Sequence, residues 1–223
     1  FTTPEAIDLQ RLFREMVHAG DQSAAVEASS HGAALRRLDR VRFDALVFTN
    51  LSQDHLEFHE TMENYFASKR LLFESEPGVS IVNIDDEYGR RLASDFPCVT
   101  YSARGAEATY RAADVEFDAS GSRFTLVRDE AQLKASVALP GLFNVANALA
   151  ALATTIELGV PAGQAVEALA RATGAPGRFE PVAAGQSFGV FVDYAHTPDA
   201  IENVLQAAAT LPDNRVISVV GAG

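Results

Sequence analysis

Short apolar runs alternate with helical segments over most of the chain, and this alternation restricts the possible folds more than any other feature. The runs with the length and composition of buried strands are 23–29, 44–49, 79–84 and 98–101. Apolar residues recur at helical spacing over 4–19, 61–75 and 86–94. Thr3 is positioned to cap the first of these helices. Strands alternating with helices predict an α/β fold with a mostly parallel sheet flanked by helices.

The second half of the chain has a different pattern. Polar and apolar residues alternate from 108 to 139 around two turns, which predicts a small antiparallel sheet. Helices are predicted at 144–159 and 161–173, and a segment rich in glycine and proline follows them. The last predicted elements, which would form a βαβ unit, are a strand at 188–194, a helix at 197–211 and a strand at 214–220. We therefore expect one domain over 1–179 and the truncated start of another over 180–223.

The composition excludes several classes of protein. Hydrophobic residues make up 48% and charged residues 22%, as in ordinary globular proteins. The net charge of -12 disfavours a nucleic-acid partner. No apolar run reaches the roughly 18 residues of a membrane span, and no signal peptide is visible, so no membrane partner is expected. The single cysteine, Cys98, fits a reducing cytoplasm, and we expect a monomer there.

Polar and charged residues cluster after two of the predicted strands. Those at or after the strand at 23–29 are Glu27, Ser29, Ser30, His31 and Arg37. Those after the strand at 44–49 are Asn50, Ser52, Asp54 and His55. The loop continues with Glu57, His59 and Glu60. Taken singly, such residues are more often turn and capping residues. Because ligands bind at the carboxyl ends of strands in open α/β sheets, the pairing favours a divalent-cation site, and its oxygen-rich set favours magnesium over zinc.

A lysine interrupts the apolar face of the helix predicted at 61–75. The apolar residues of that face are Met62, Tyr65, Phe66, Leu72 and Phe73, and position 69 falls among them. Burial would lower the pKa of the Lys69 ammonium, and the neutral amine can then react with carbon dioxide to give a carbamate. The alternative is a lysine whose stem covers apolar surface while its head reaches water.

A third group of polar residues follows the strand predicted at 188–194. Asp193, Tyr194 and His196 precede a helix that Thr197 is able to cap, so they are either capping residues or nucleotide contacts. No phosphate loop of the G-x-x-x-x-G-K-[ST] type occurs. The chain starts without methionine and stops in a glycine turn, so we expect a fragment that does not turn over ATP by itself.

Six segments of the sequence resemble, in the same order, those of the Mur ligases, the ATP-dependent amide-bond-forming enzymes of peptidoglycan synthesis. They are TTPEA, VEASSHGAALRR, VFTNLSQDHLEFHETMENYFASKRLLF, LPGLFNVANALAAL, PGRFE and VDYAHTPDA. TNLSQDHLEFH together with DYAHTPDA is similar to the members that add the third amino acid. The resemblance implies a central ATP-binding domain followed by the start of a Rossmann-like C-terminal domain. It also implies that a diamino acid, meso-diaminopimelate or L-lysine, is joined to UDP-N-acetylmuramoyl-L-alanyl-D-glutamate through an acyl phosphate.

The same resemblance implies roles for individual residues, with Mg²⁺ as cofactor and ATP as co-substrate. The contacts implied for the UDP-muramoyl dipeptide are Thr2, Thr3, Ser29 and Arg37. The implied magnesium ligands are Glu27, His55 and Lys69, where Lys69 is N-carboxylated and acts with His55 in catalysis. The implied ATP contacts are Asn144, Asn147, Arg178, Asp193 and His196. Leu35 departs from the glutamine of some relatives, and the family's ATP loop and amino-acid-selecting motif are absent from the sequence.

Two other functions stay open. A folylpolyglutamate synthase-type ligase has a segment similar to DYAHTPDA, but the SSHG and NLSQDHLEFH segments argue against it. A non-catalytic module that binds a sugar nucleotide would fit the lack of a phosphate loop.

Overall fold

The computed structural model describes residues 2–118, 120–209 and 215–221. They form two compact units. The first comprises the residues up to Leu46 together with Asp54–Ser80, and the second comprises Val47–Gln53 and the residues from Ile81 onward. No helix within the described ranges combines the length and the apolar character that crossing a bilayer requires.

The first unit contains four helices within its described residues: α1 (Ala6–Ala19), α2 (Ser30–Ala34), α3 (Leu56–His59) and α4 (Met62–Phe73). Gly20 ends α1 in the left-handed conformation, with a φ of 92°. Polar side chains cap the N-termini of α2 and α4: Ser29 Oγ accepts from the Gly32 N–H, and Thr61 Oγ1 accepts from the Asn64 N–H. The helix α2 packs against α4, which brings the segment around residue 30 next to the helix that carries Lys69.

The predicted strand at 23–29 is wrong, since this segment has no regular structure. The side chain of Thr3 forms the hydrogen bonds to this backbone that a neighbouring strand would otherwise form. Its Oγ1 lies 2.9 Å from the Glu27 carbonyl oxygen and accepts a 2.9 Å hydrogen bond from the Ser29 N–H. Thr3 is therefore buried and does not cap α1, whose N-cap position is Glu5. A Cβ atom at Gly32 would lie 2.8 Å from Thr3 Cγ2, so this fit leaves no room for a side chain at 32.

A six-stranded sheet runs in chain order from β1 to β6. Its strands are β1 (Ala45–Phe48), β2 (Val79–Asn83), β3 (Val99–Ser102), β4 (Tyr110–Asp118), β5 (Gly121–Arg128) and β6 (Ala131–Val137). The β2–β3 and β3–β4 pairs are parallel, whereas β4–β5 and β5–β6 are antiparallel. The antiparallel strands predicted for 108–139 thus continue the main sheet.

Three helices of the second unit follow the α/β pattern: α5 (Glu87–Asp95), α6 (Leu142–Glu157) and α7 (Ala162–Arg171). The helix α6 packs on β3, β4, β5 and β6, and α7 packs on β6. The core of the second unit includes the almost fully buried side chains of Ile81, Tyr101, Tyr110, Phe124 and Leu149. The predicted α/β class is therefore confirmed.

The end of the chain differs from the predicted βαβ unit. The strand predicted at 188–194 is only β8 (Phe191–Val192), and it pairs antiparallel with β7 (Glu180–Pro181). The helix α8 (Pro198–Ala209) confirms the described part of the helix predicted at 197–211. In the described part of the strand predicted at 214–220, residues 215–220 are exposed and irregular. A strand needs a neighbour for its backbone groups, and the described residues provide none for this segment.

Candidate functional site

Three of the four residues implied for the muramoyl substrate lie together in the first unit. Thr3 Oγ1 is 2.8 Å from Ser29 Oγ, the side chain that caps α2. Arg37 donates from Nη1 to the Thr3 carbonyl oxygen at 3.1 Å, and its Nη2 forms a 2.6 Å ion pair with Glu5. The Arg37 side chain is only 10% exposed, so the guanidinium is held in place. Thr2, the fourth residue, is exposed beside Thr3.

Three of the five histidines form a cluster, His31, His55 and His59, which we call the histidine cluster. The ring centroids of His31 and His55 are 4.9 Å apart, and those of His31 and His59 are 5.4 Å apart. His55 has a φ of 54°, in the left-handed region that non-glycine residues seldom occupy. Its backbone N–H donates to Asp54 Oδ1 at 2.8 Å, which fixes the direction of this turn.

His59 is the buried member of the histidine cluster. Its Nε2 lies 2.9 Å from Ser30 Oγ, its Nδ1 lies 3.4 Å from Ser68 Oγ, and its ring stacks on Tyr65 at 4.9 Å. Burial lowers the pKa of His59, and the neighbouring His31, His55 and Lys69 lower it further. The role of His59 was not predictable from the sequence, because its contacts to Ser30 and Tyr65 depend on the packing of α2 against α4.

Acidification should therefore destabilise the chain through His59. Its pKa is below 6.5 in the folded state and near 6.5 in the unfolded state. Between these values the unfolded chain binds more protons, so the stabilisation is present above about pH 6.5 and is lost as the pH falls. We expect the urea midpoint to drop between about pH 7.5 and about pH 5.5, and to drop less in His59→Gln. The same drop in His59→Gln as in the wild type would contradict this, and His18→Gln, an exposed position, controls for loss of a histidine.

Lys69 lies on the same face of α4 as Tyr65, as the stripe predicted. Its Nζ is 5.3 Å from the Tyr65 ring centroid, and the His55 ring centroid is 5.9 Å from that same ring. Lys69 is half-buried, and the other members of the stripe are buried or half-buried. Burial lowers the pKa of Lys69, while the charges of Glu27 and Asp54 raise it and only partly offset the burial. Burial also raises the pKa of the Tyr65 phenol to about 12.

The charges of two carboxylates, Glu27 and Asp54, act on Lys69, and the rings of His55 and His59 lie next to Tyr65. Glu27 is exposed and Asp54 is half-buried. Among the described residues, three side chains bring possible metal-ligand atoms within 4.8 Å of one another, and these are His31, His55 and Glu57. Only His55 of this set was predicted as a metal ligand. His31 and Glu57 were visible in the sequence as members of polar loops, but no spacing rule connects them.

The residues implied for ATP lie in the second unit. Asn144 is buried on α6 and donates from Nδ2 to the Pro140 carbonyl oxygen at 2.9 Å, whereas Asn147 is exposed. The two therefore share a helix but differ in their surroundings. The segments next to them are linked by aromatic rings, since Phe143 lies 5.8 Å from Phe179 and Phe179 stacks on Phe191 at 4.5 Å.

Arg178, Asp193 and His196 occupy two segments that are hydrogen-bonded to each other. Asp193 accepts from the N–H groups of Phe179 and Ala195, both at 2.7 Å. The Arg178 guanidinium carbon lies 5.0 Å from the ring centroid of Tyr194, which itself lies 5.0 Å from the His196 ring. These contacts hold Arg178 and His196 on one exposed surface.

Comparisons with known proteins agree with the resemblance in the sequence. A UDP-N-acetylmuramoyl-L-alanyl-D-glutamate–2,6-diaminopimelate ligase of Caldanaerobacter subterraneus is 44% identical over 224 residues, covering 100% of this chain and 46% of the relative. The ligase of the same name from Streptomyces coelicolor is 45% identical over 227 residues, covering 100% of this chain and 45% of the relative. The chain thus spans about half the length of these curated relatives.

A solved structure of a ligase with the same name superposes with a TM-score of 0.82 and 34% identity, covering 96% of this chain and 45% of that one. The Mur ligase glutamate ligase domain family matches residues 177–223. The Mur ligase middle domain family matches residues 1–155 of the 223. The chain belongs to the Mur ligase family.

Proposed function

We propose that this chain forms part of an ATP-dependent ligase that joins 2,6-diaminopimelate to UDP-N-acetylmuramoyl-L-alanyl-D-glutamate. The observation that carries the proposal is the identity of 44% to 45%, over 100% of the chain, with curated relatives named for that reaction. Their name also favours this ligase over a folylpolyglutamate synthase-type enzyme. Because ATP and UDP-linked precursors are cytoplasmic metabolites, we place the enzyme in the cytoplasm, where it would act as a monomer.

The reaction has two steps. A side-chain carboxylate oxygen of the D-glutamate attacks the γ-phosphorus of ATP, giving an acyl phosphate and releasing ADP. The neutral amine of the diamino acid then attacks the acyl carbon, and the tetrahedral intermediate expels phosphate as the amide forms. The first step brings two anions together, so the site has to screen negative charge.

Glu27, His55 and Lys69 fit a magnesium ion, which when bound would screen this charge. Mg²⁺ prefers oxygen ligands, and the exposed Glu27 carboxylate acts on Lys69 closely enough to affect its pKa. The Lys69 ammonium would lose one proton, the neutral amine would attack carbon dioxide, and loss of a second proton from that nitrogen to solvent would give an N-carboxylate, a second oxygen ligand. The lowered pKa of Lys69 supports this step, since only the neutral amine reacts. His55 is half-exposed, its ring centroid lies 5.9 Å from the Tyr65 ring, and it would supply a nitrogen ligand.

The remaining residues would bind the two larger substrates. Thr2, Thr3, Ser29 and Arg37 would contact the UDP-muramoyl dipeptide. Asn144, Asn147, Arg178, Asp193 and His196 would contact ATP. The stacking of Arg178 on Tyr194 supports a phosphate-binding role, because it holds the guanidinium at an exposed surface.

The proposal is tested by phosphate release from a full-length ligase carrying this chain. We expect release that requires both UDP-N-acetylmuramoyl-L-alanyl-D-glutamate and meso-diaminopimelate. Release with a folate and glutamate instead, or no release with any amino acid, would contradict the proposal. Replacing meso-diaminopimelate by L-lysine in the same assay separates the two diamino acids.

In the same full-length ligase, Arg37→Ala should weaken the muramoyl substrate more than ATP. The forked guanidinium suits an anionic ligand, and Arg37 also anchors Thr3 through its carbonyl oxygen. We expect KM for the muramoyl substrate to rise by about tenfold or more, with KM for ATP within about twofold of the wild type. Arg37→Lys keeps the positive charge but not the forked donors, so its KM for the muramoyl substrate should lie between those of the wild type and Arg37→Ala. A larger change in KM for ATP than for the muramoyl substrate would refute this assignment.

A further inference from the structure

We infer that the side chains of His31, His55 and Glu57 form a second metal site, one that takes zinc or a similar transition-metal ion and shares His55 with the proposed magnesium ligands. The possible ligand atoms of these three residues lie within 4.8 Å of one another. Two imidazoles with one carboxylate are a donor set that zinc prefers, whereas magnesium prefers a set in which most ligands are oxygen atoms.

The geometry around His55 supports this set. Its Nδ1 lies 3.7 Å from Glu57 Oε1, close to the separation of about 3.4 Å that two ligands have on a tetrahedral zinc ion. Its Nε2 lies 3.6 Å from Asp54 Oδ2. Zinc-bound histidines commonly have a carboxylate near the nitrogen that does not bind the metal, and Asp54 is placed to take that role.

The site is accessible and adjustable. The Glu57 side chain is 77% exposed and the His55 side chain 41% exposed, so an ion can enter from solvent and the carboxylate can move to meet it. His31 is less free, because its ring lies 4.2 Å from the Phe58 ring and 4.9 Å from the His55 ring. Three protein ligands leave a fourth position for water.

Sharing His55 has a consequence that rests on the proposed function. The imidazole cannot bind two ions through one lone pair, so zinc at His31, His55 and Glu57 excludes His55 from the magnesium set. Micromolar zinc would then inhibit the ligase, and excess magnesium would relieve the inhibition.

The test uses the 223-residue chain with Co²⁺ as a visible probe and Zn²⁺ as its competitor. We expect one equivalent of Co²⁺ to give a saturable visible absorption that Zn²⁺ removes. The Zn²⁺ affinity should fall by about tenfold or more in His31→Asn and in Glu57→Gln, and should stay unchanged in His18→Asn. Since Glu57 is exposed, Glu57→Gln leaves packing intact, and far-UV circular dichroism checks the fold of each variant.

Two further variants distinguish the proposed zinc site from the proposed magnesium ligands. Lys69→Ala and Glu27→Gln should leave the Zn²⁺ affinity as high as in the wild type. Unchanged affinity in either His31→Asn or Glu57→Gln, or an equal loss in Lys69→Ala, would overturn the proposal. Zinc inhibition of the full-length ligase is measured separately. A ligase that fails to turn over would refute the proposed function and leave the Co²⁺ result standing.

Discussion

Lys69→Ala should lower the turnover of a full-length ligase carrying this chain by at least about 10²-fold. The Lys69 Nζ lies 5.3 Å from the Tyr65 ring centroid, where the charges of Glu27 and Asp54 act on it. Its removal deletes the group proposed to become a carboxylate ligand, so both anions in the phosphoryl-transfer step lose part of their screening. The loss should appear in kcat for phosphate release and leave KM for the muramoyl substrate nearly unchanged.

A short carboxylic acid such as acetate should restore part of the activity of Lys69→Ala, because it can occupy the space that the side chain leaves. The adjacent cation provides a matched control: Arg70 forms a surface ion pair with Glu74, so Arg70→Ala should retain near-normal turnover. Near-normal activity of Lys69→Ala, with and without bicarbonate, would assign Lys69 to helix packing alone.

Gly89→Ala should destabilise the chain by about 3 kcal/mol. A Cβ atom there would lie 1.8 Å from the Asn83 carbonyl oxygen at the end of β2. Neither side can move easily: Asn83 Nδ2 donates to the Thr49 carbonyl oxygen at 2.7 Å, and Asp86 Oδ1 accepts from the Gly89 N–H at 3.0 Å. The turn between β2 and α5 is therefore fixed at both ends.

Urea unfolding of the chain measures this effect. The matched control is Gly163→Ala, a glycine in the first turn of α7 whose added Cβ would meet nothing within 4 Å. That variant should be unchanged or more stable by up to about 0.8 kcal/mol, because alanine is the better helix former. Equal midpoints for the two variants would show that the turn between β2 and α5 adapts.

The features of this protein that were predictable from the sequence are those determined by residues close to one another along the chain. Tyr65 and Lys69 are four residues apart on one helix, so their shared face follows from helical periodicity alone. The grouping of His31 with His55 and Glu57 depends instead on how α2 and α3 both pack against α4, and no local pattern encodes those contacts.

The failed predictions have a related cause. The strand expected at 23–29 has the right composition, yet its backbone bonds to a threonine hydroxyl from a distant part of the chain. The strand expected over 214–220 also has the right composition, but its described residues 215–220 lie beside no partner strand within the described residues. Strand propensity describes a fit to neighbouring strands, so it fails where the neighbour is a side chain or is missing.

The contact between Thr3 and Gly32 has a consequence for how this sequence can change over evolutionary time. An alanine Cβ at 32 would lie 2.8 Å from the methyl carbon of Thr3, closer than to Thr3 Cβ at 3.0 Å or to the hydroxyl oxygen at 3.1 Å. That hydroxyl bonds Glu27 and Ser29. Serine at 3 would keep that hydroxyl and remove the methyl group. Homologues should therefore accept alanine at 32 mainly where position 3 is serine. The residues at these two positions, which are far apart in the chain, should change together.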